Sequence, residues 1–362
     1  MKPVVIAGAR PNFMKIAPIV REFEARGIHA PIIHTGQHYD KSMSGSFFED
    51  LGLPEPEANL EVGSGSHAQQ TALVMERFDR WLDLNPVDLL VVVGDVNSTV
   101  ACALVAAKRG LPIAHVEAGL RSFDRDMPEE VNRIVTDALS LWLFTPSADA
   151  DENLAAEGVH RSRVFRVGNI MADSLFLARE RARESTIRAD LGVTGEFGLV
   201  TIHRPALVDN VENLRPVLET LGSVTSTLPL VLPLHPRSRQ RLDDFGLRSL
   251  VDRFIVCDPL RYLDFVKLES DARVVLTDSG GVQEETTMLG VPCLTLRPNT
   301  ERPITVTEGT NVVVGYDPVR IREGMDLALA GRVPRRAPEL WDGKTAGRIL
   351  DVLTQPSPVV WR

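Results

Sequence analysis

Cysteine is scarce in this chain. Cys102, Cys257 and Cys293 are its only three, far apart and odd in number, which excludes a disulfide framework and fits a reducing compartment. The eight histidines are dispersed, and neither they nor the cysteines form a pair at metal-ligand spacing, so no metal site is indicated. Long apolar runs are missing too. No stretch reaches roughly 18 uninterrupted apolar residues, and the run within MKPVVIAGARPNFMK is too short for a secretory signal; the chain reads as cytoplasmic, with no membrane partner. An excess of positive charge is absent: the formal net charge is −9 and the sequence pI about 5.5, which argues against a nucleic-acid duplex or an anionic membrane as the main partner. A local basic pocket is compatible with that balance. Finally, there is no GxGxxG after the first apolar run and no Walker lysine motif, so neither a nicotinamide enzyme nor a P-loop ATPase is favoured.

What is present is an ordinary globular composition, 44% hydrophobic and 25% charged over 362 residues, enough chain for two domains and two cores. Short β-branched runs alternate with helix-length segments: PVVIAG (3–8), APIIHTG (30–36), DLLVVVGD (88–95), PIAHVEAG (112–119) and LWLFTPS (141–147). Between them, PIVREFEARG and TVACALVAAKRG end at Gly27 and Gly110, where a helix-terminating glycine belongs. The pattern restarts with GLVTIHR (198–204), PLVLPLHP (229–236), RFIVCDP (253–259), ARVVLTDSGG (272–281) and VPCLTLRP (291–298). Continuous apolar runs of this kind suit parallel strands covered on both faces, so the class is α/β with two doubly wound, Rossmann-like domains and a cleft between them. The expected boundary lies near Gly168: residues 1–168 form the first domain, 169–343 the second, a helix over roughly 171–185 links them, and a last helix near 344–354 returns to the first domain, carrying 344–362 with it.

Ligands of open α/β sheets bind beyond the carboxyl ends of the strands, and the polar residues of this chain gather there. Arg10 and Lys15 follow the first strand, Gln37 and His38 the second, Asp95 the run LLVVVG, Glu117 the run PIAHV, His203 and Arg204 the run GLVTI, His235 the run LVLPL, and Asp278 to Gly281 the run RVVLT. Each alone is open to a structural reading: Lys15 as a surface residue of a first helical turn, Asp95 as part of an N-cap network. Together they point to a shared site. The stretch HVEAGLRSFDRDMPEEVNR adds Glu117, Arg121, Asp124, Glu129, Glu130, Asn132 and Arg133. Such a run is often a solvated face, but its entry from an apolar strand favours a catalytic loop.

The segment LTDSGGVQEE (276–285) sets two glycines where a strand hands over to a helix and two glutamates on the expected first helical turn. Exposed N–H groups at a helix start, with glycines permitting close approach, suit an anion; alternatively Asp278 or Ser279 caps the helix and Glu284 and Glu285 favour its dipole. Arg297 and Arg302 in LRPNTERP follow soon after, and two guanidiniums beside such a helix suit a diphosphate.

In order along the chain, GARPNFMKIAP, HTGQHYD, VVGDVNST, HVEAGLRS, PEEVNR, TIHRP, LHP, PLRYLDFVKL, TDSGGVQEE and RPNTERP resemble the non-hydrolysing UDP-N-acetylglucosamine 2-epimerases, which have the GT-B fold. The resemblance implies that Ser279, Gly280 and Gly281 meet the diphosphate of UDP, that Glu285 holds the ribose hydroxyls, that Phe265 packs on uracil, and that Arg10 and Arg297 line the nucleotide pocket. Lys15, Arg133, Arg204 and His235 complete the implied substrate-binding set. The implied reaction inverts C2 of UDP-GlcNAc to give UDP-ManNAc through elimination of UDP to 2-acetamidoglucal and its re-addition. Asp95, Glu117, Glu129 and His203 match the family's acid/base candidates. Carboxylates crowded in one cleft are then expected to have separated pKa values. The resemblance further implies a homodimer, no cofactor, a UDP-sugar substrate as partner, a role in supplying a polysaccharide or glycoconjugate, and an activating site near Gln37, His38 and Arg204.

The chain departs from the common pattern at Ala9 and Asn12, where Gly-Thr-Arg-Pro-Glu is usual, at Ala206 and Leu207, and in a shorter loop from Arg121 to Pro128. The first two changes are expected to border the sugar and phosphates. They leave open a 2-epimerase of a UDP-2,3-diacetamido sugar or uronic acid; a GT-B glycosyltransferase, a hydrolysing epimerase and a non-catalytic sensor are the other readings.

Overall fold

The computed structural model describes residues 1–36 and 52–355, except for the side chains of Arg10 and Pro11. The chain divides into two compact units. One comprises Met1–Phe176 with Glu339–Arg362, the other Leu177–Pro338. The outward crossing falls within the helix Ile170–Arg181, which a 3-10 turn at Ala182–Glu184 extends.

The first unit is a seven-stranded parallel sheet of β1 (Pro3–Ala7), β2 (Ile32–His34), β3 (Ala58–Asn59), β4 (Leu89–Val93), β5 (Ile113–Val116), β6 (Trp142–Thr145) and β7 (Val164–Arg166), in the order β3-β2-β1-β4-β5-β6-β7. The second is a six-stranded parallel sheet of β8 (Gly198–Thr201), β9 (Leu230–Pro233), β10 (Ile255–Cys257), β11 (Val274–Thr277), β12 (Cys293–Thr295) and β13 (Asn311–Val313), in the order β10-β9-β8-β11-β12-β13. The apolar runs account for the central strands. All five side chains of both β1 and β4 are buried, and each large aliphatic one so enclosed contributes roughly 1.5–3 kcal/mol. A strand hidden on both faces cannot alternate polar and apolar residues, which is why these segments read as continuous runs.

In each sheet the chain first grows one way and then reverses, between β1 and β4 in the first and between β8 and β11 in the second. At such a reversal the loops leaving adjacent strands diverge and open a crevice at the carboxyl ends. The helix Thr345–Leu353 closes the first unit: Arg26 donates to the Gly347 carbonyl at 3.1 Å and pairs with Asp351 at 2.7 Å. The Asp173 carboxylate accepts from the N–H groups of Thr345 and Ala346 at 3.1 and 2.9 Å, capping this helix from a neighbouring one. No helix among the described residues is long and apolar enough to cross a membrane.

Candidate active site

At the reversal of the first sheet, the loop after β1 is fastened by Asn12. Its side-chain oxygen accepts from the N–H groups of Gly8 and Ala9 at 3.2 and 2.9 Å, and its amide donates to the Val93 carbonyl at the end of β4. Asn12 is buried, and its side chain is taken up in holding this loop to the end of β4. Arg10 opens the following helix, and its side chain lies outside the described residues, as do Gln37 and His38.

Two ion pairs occupy the ends of β4 and β5. Lys15 pairs with Glu117, and Arg133 pairs with Asp95 while standing 3.6 Å from Glu130. The expected crowding of carboxylates takes a different form here, since Asp95 and Glu117 each meet a cation. Glu117 has φ of +71°, a left-handed backbone that a non-glycine residue adopts at a cost of order 1–3 kcal/mol. Gly94 makes room for the pair: it too has positive φ, and a Cβ there would lie 3.1 Å from Lys15 Nζ and 3.3 Å from Glu117 Oε2. The Asn132 amide donates to the Asp95 carbonyl at 2.8 Å. Glu129 lies in the first turn of the helix Pro128–Leu139, half-buried, with no hydrogen-bond or ion-pair partner among the described residues.

Other members of that acidic stretch turn inward. Glu130 is buried and accepts from the N–H groups of Ser122 and Phe123 at 2.8 and 3.1 Å, pinning the loop. The Arg121 side chain is 1% exposed and bridges Asp137 at 2.8 Å and Glu157 at 2.7 Å. Both are scaffold, not parts of a catalytic loop, because their charge is fully used within the unit. Asp124 only closes a local turn, accepting from the Asp126 N–H.

Beneath these pairs lies a network that sequence reasoning missed. His115 in β5 places one ring nitrogen 2.8 Å from the Gly94 carbonyl and the other 2.7 Å from Asp137 Oδ1. The Gly119 N–H donates to Asp137 Oδ2 at 3.1 Å, and a Cβ at Gly119 would fall 2.4 Å from the Ala150 carbonyl oxygen. Burial alone would raise the Asp137 carboxyl, but the charges and hydrogen bonds of His115 and Arg121 hold it below the usual carboxylate range. The network ties together the loops that carry Asp95 and Glu117. The available signal was a lone histidine inside an apolar strand, which had to find buried partners.

In the second unit, Asp278 is fully buried after β11 and does not cap the helix that follows. Its carboxylate accepts from the N–H groups of His203 and Arg204 at 2.9 and 2.8 Å and lies 3.2 Å from His203 Nδ1, clamping the loop after β8 to that after β11. The Ser279 side chain makes no capping bond either. The helix Gly280–Leu289 therefore starts with N–H groups that no side chain from Asp278 or Ser279 covers. Neither Gly280 nor Gly281 has positive φ, and a Cβ at Gly280 would meet nothing within 4 Å and one at Gly281 only Ser279 Oγ at 4.0 Å. Backbone conformation and packing thus do not explain these glycines. Because the helix begins at Gly280, Glu284 and Glu285 lie in its second turn, beyond the dipole position expected for them.

Around this helix start, Arg204 Nε and Arg297 Nη1 are buried without a hydrogen-bond partner. Arg297 pairs with Glu301 at 2.8 Å, and Arg302 with Glu284 at 3.2 Å. Arg297 first, then the charges of Arg204 and Arg302, hold the Glu301 carboxyl below its usual range, which brings all three guanidiniums to one place. His235 is exposed and caps the helix Pro236–Asp244 through the Arg237 N–H at 3.3 Å. Phe265 packs, half-buried, against the core beneath β8, β9 and β11. Leu207, one of the departures, is a core residue with no exposure, so it cannot border a ligand.

Glu285 is 9% exposed, and the Tyr262 hydroxyl faces it. Burial first, then the charge of Glu284, pushes the Glu285 carboxyl up to about 8. Glu269, which the sequence did not flag, faces the same group from the helix Tyr262–Asp271 and has no exposure. Among the described residues no group of His, Cys, Asp and Glu could hold a metal ion.

Two parallel sheets, each with charged groups gathered at its reversal, define a protein of the GT-B-like α/β class. The model of the UDP-N-acetylglucosamine 2-epimerase family matches residues 21–354. The chain belongs to that family, and so to a family of isomerases. It is 40% identical to a UDP-N-acetylglucosamine 2-epimerase of Methanocaldococcus jannaschii over 98% of this chain and 99% of the other. It is also 40% identical to a UDP-2,3-diacetamido-2,3-dideoxy-D-glucuronate 2-epimerase of Pseudomonas aeruginosa over 98% and 100%. Among solved structures, the M. jannaschii epimerase in complex with UDP-GlcNAc and UDP matches with a TM-score of 0.82, covering 98% of this chain and 99% of that one at 40% identity. The Neisseria meningitidis epimerase bound to UDP-GlcNAc matches with a TM-score of 0.84 at 28% identity, over 98% and 99%.

Proposed function

We propose that this protein interconverts UDP-GlcNAc and UDP-ManNAc without hydrolysis. In the forward direction a base removes the C2 proton, the C1–O bond breaks with its electron pair leaving on UDP, and a C1=C2 double bond forms in 2-acetamidoglucal. Re-addition of UDP at C1 with protonation of C2 on the opposite face completes the inversion. Such a route needs an acid/base group for each face of C2 and donors for the departing diphosphate.

The reading assigns the acid/base work to Asp95, Glu117, Glu129 and His203, and the nucleotide to the second unit. Ser279, Gly280 and Gly281 would meet the diphosphate with Arg204 and Arg297, Glu285 would hold the ribose and Phe265 the uracil. Arg10, Lys15, Arg133 and His235 complete the proposed binding set, and Gln37 and His38 belong to a proposed activating site. The same reading includes a homodimer, a cytoplasmic location and a reaction without cofactor. The observation that carries it is Glu117: a carboxylate in a strained left-handed backbone, balanced by Lys15, with a glycine opposite that leaves them space. A scaffold needs neither the strain nor the charge.

A second reading, a 2-epimerase of a UDP-2,3-diacetamido uronic acid, is favoured by the equal identity to the P. aeruginosa relative. Proton NMR in D2O separates the readings. UDP-ManNAc carrying deuterium at C2 is the expected product from UDP-GlcNAc alone. Turnover of the diacetamido substrate only would select the second reading, and release of UDP only with an added acceptor would select a glycosyltransferase.

A further inference from the structure

Glu269 is a buried acid to which the proposed reaction gives no work. It lies two helical turns after Tyr262 on the same face of the helix Tyr262–Asp271, which packs on the helix Gly280–Leu289. Its side chain has no exposure, and neither carboxyl oxygen has a hydrogen-bond partner. The groups facing it are Tyr262 on its own helix, Glu285 on the next and Cys293 on β12; Glu285 in turn faces Glu284. No cation is among them. The other acids of its helix pair elsewhere, Asp264 with Ser185, and Asp271 with Arg188 and Lys267.

A carboxyl in such a place stays protonated, because ionisation without a partner is expensive, and burial with the nearby Glu285 drives its pKa well up. A protonated acid differs from an ionised one in having an O–H to give. Of the two acids only Glu285 keeps any exposure, 9% against none for Glu269.

We propose that Glu269 is a positioning residue: a neutral acid whose O–H turns to the inner oxygen of Glu285 when that carboxylate ionises to accept the ribose hydroxyls of the nucleotide. The proposal rests on the reading of Glu285 as the ribose holder. Tyr262 and Glu269 then support Glu285 from inside while the ribose engages it from outside. Since hydrogen bonds to a carboxylate favour its ionised form, nucleotide binding expels a proton from Glu285, and affinity rises with pH toward the region near 8 where free Glu285 ionises.

The test is calorimetric titration of the full chain with UDP and with 2′,3′-dideoxy-UDP between pH 6 and 9. The Glu269→Leu variant is expected to bind UDP about tenfold more weakly, the scale of one hydrogen bond to a charged group, with the rise in affinity moved to higher pH. Glu269→Gln keeps an N–H donor and is expected to bind UDP within about threefold of the parent, the gap left by a neutral donor in place of an acid. Dideoxy-UDP, lacking the hydroxyls, should bind the parent and Glu269→Leu alike. A structural role for Glu269 would weaken both nucleotides equally, and that result overturns the proposal. Equal UDP affinity and pH profile in the parent and both variants overturns it as well. If Glu269→Leu does not fold, UDP binding by Glu269→Gln weakened about tenfold or more from the parent would do the same. Failure of the parent itself to bind UDP overturns the nucleotide reading, and this inference with it.

Discussion

Each unit buries a carboxyl group deep within it, but under opposite conditions. Asp137 in the first unit meets His115, Arg121 and the Gly119 N–H, and is held below the usual carboxylate range despite its burial. Glu269 in the second meets Tyr262, Glu285 and Cys293, has no partner for either oxygen, and is driven up by burial. The groups are chemically alike and equally enclosed; the supply of cations and N–H donors separates them. A satisfied network rigidifies what surrounds it, whereas an unsatisfied one costs stability. The first is how this fold holds its loops in place, and the second leaves both oxygens of a buried acid without a hydrogen-bond partner.

The strongest way to break the comparison is Asp137→Ala. It strips the anion from a buried guanidinium and a buried imidazole, and a loss of ~3–5 kcal/mol in urea denaturation is expected. A loss under ~1 kcal/mol would show that Glu157 alone supports Arg121, and the contrast between the units would fail. Glu117→Gln separates the loops' contents from their scaffold: kcat should fall at least ~100-fold with unfolding free energy changed by under ~1 kcal/mol. Equal losses in both quantities would make Glu117 structural.

Glu269→Leu should act in the opposite sense to Asp137→Ala and stabilise the free protein by ~1–3 kcal/mol at pH 7, since it removes an unsatisfied buried polar group. The sign with pH follows from linkage. Above the unfolded carboxyl value of 4.5, the unfolded chain releases the Glu269 proton while the folded one keeps it, so the parent loses stability as pH rises. The gain in Glu269→Leu should therefore grow with pH above that point, in thermal melts at pH 5 to 8. Asp137 gives the reverse: its contribution is present above the unfolded value of 3.8 and is lost as pH falls through its lowered folded value. The smallest effect is expected from Gly94→Ala, about 1–2 kcal/mol for a left-handed alanine, accompanied by a fall in kcat as the Lys15–Glu117 pair shifts. A change in stability without one in kcat would detach that pair from turnover.

The central strands were legible because burial on both faces leaves only apolar residues in a run, as in LLVVV of β4. The two-residue strand Ala58–Asn59 was not, because an edge strand so short carries no pattern. Ser279-Gly280-Gly281 was legible as a helix start, although the capping roles weighed for Asp278 and Ser279 were not what formed. Glu130 and Arg121 were read as loop chemistry because they share a stretch with Glu117 and Glu129; only packing shows that they point inward. Leu207 and Asn12 stand beside conspicuous motifs yet are consumed by the core and by a loop. Asp137 and Glu269 gave no signal at all, since an acid among helical polar positions ordinarily faces water.

The sequence by itself determined the two α/β repeats, the strand ends at which charges gather and the family to which the chain belongs, because these depend on residue type and order along a single line. The tertiary structure decided which charges meet: Lys15 with Glu117, Arg133 with Asp95, Asp278 with the loop after β8, and Glu269 with Glu285. Those partners are separated in sequence by 16 residues at the least, as between Glu269 and Glu285, and by 102 at the most, as between Lys15 and Glu117. Electrostatic energy depends on distance through space and on the dielectric between charges, and neither is written in the order of residues.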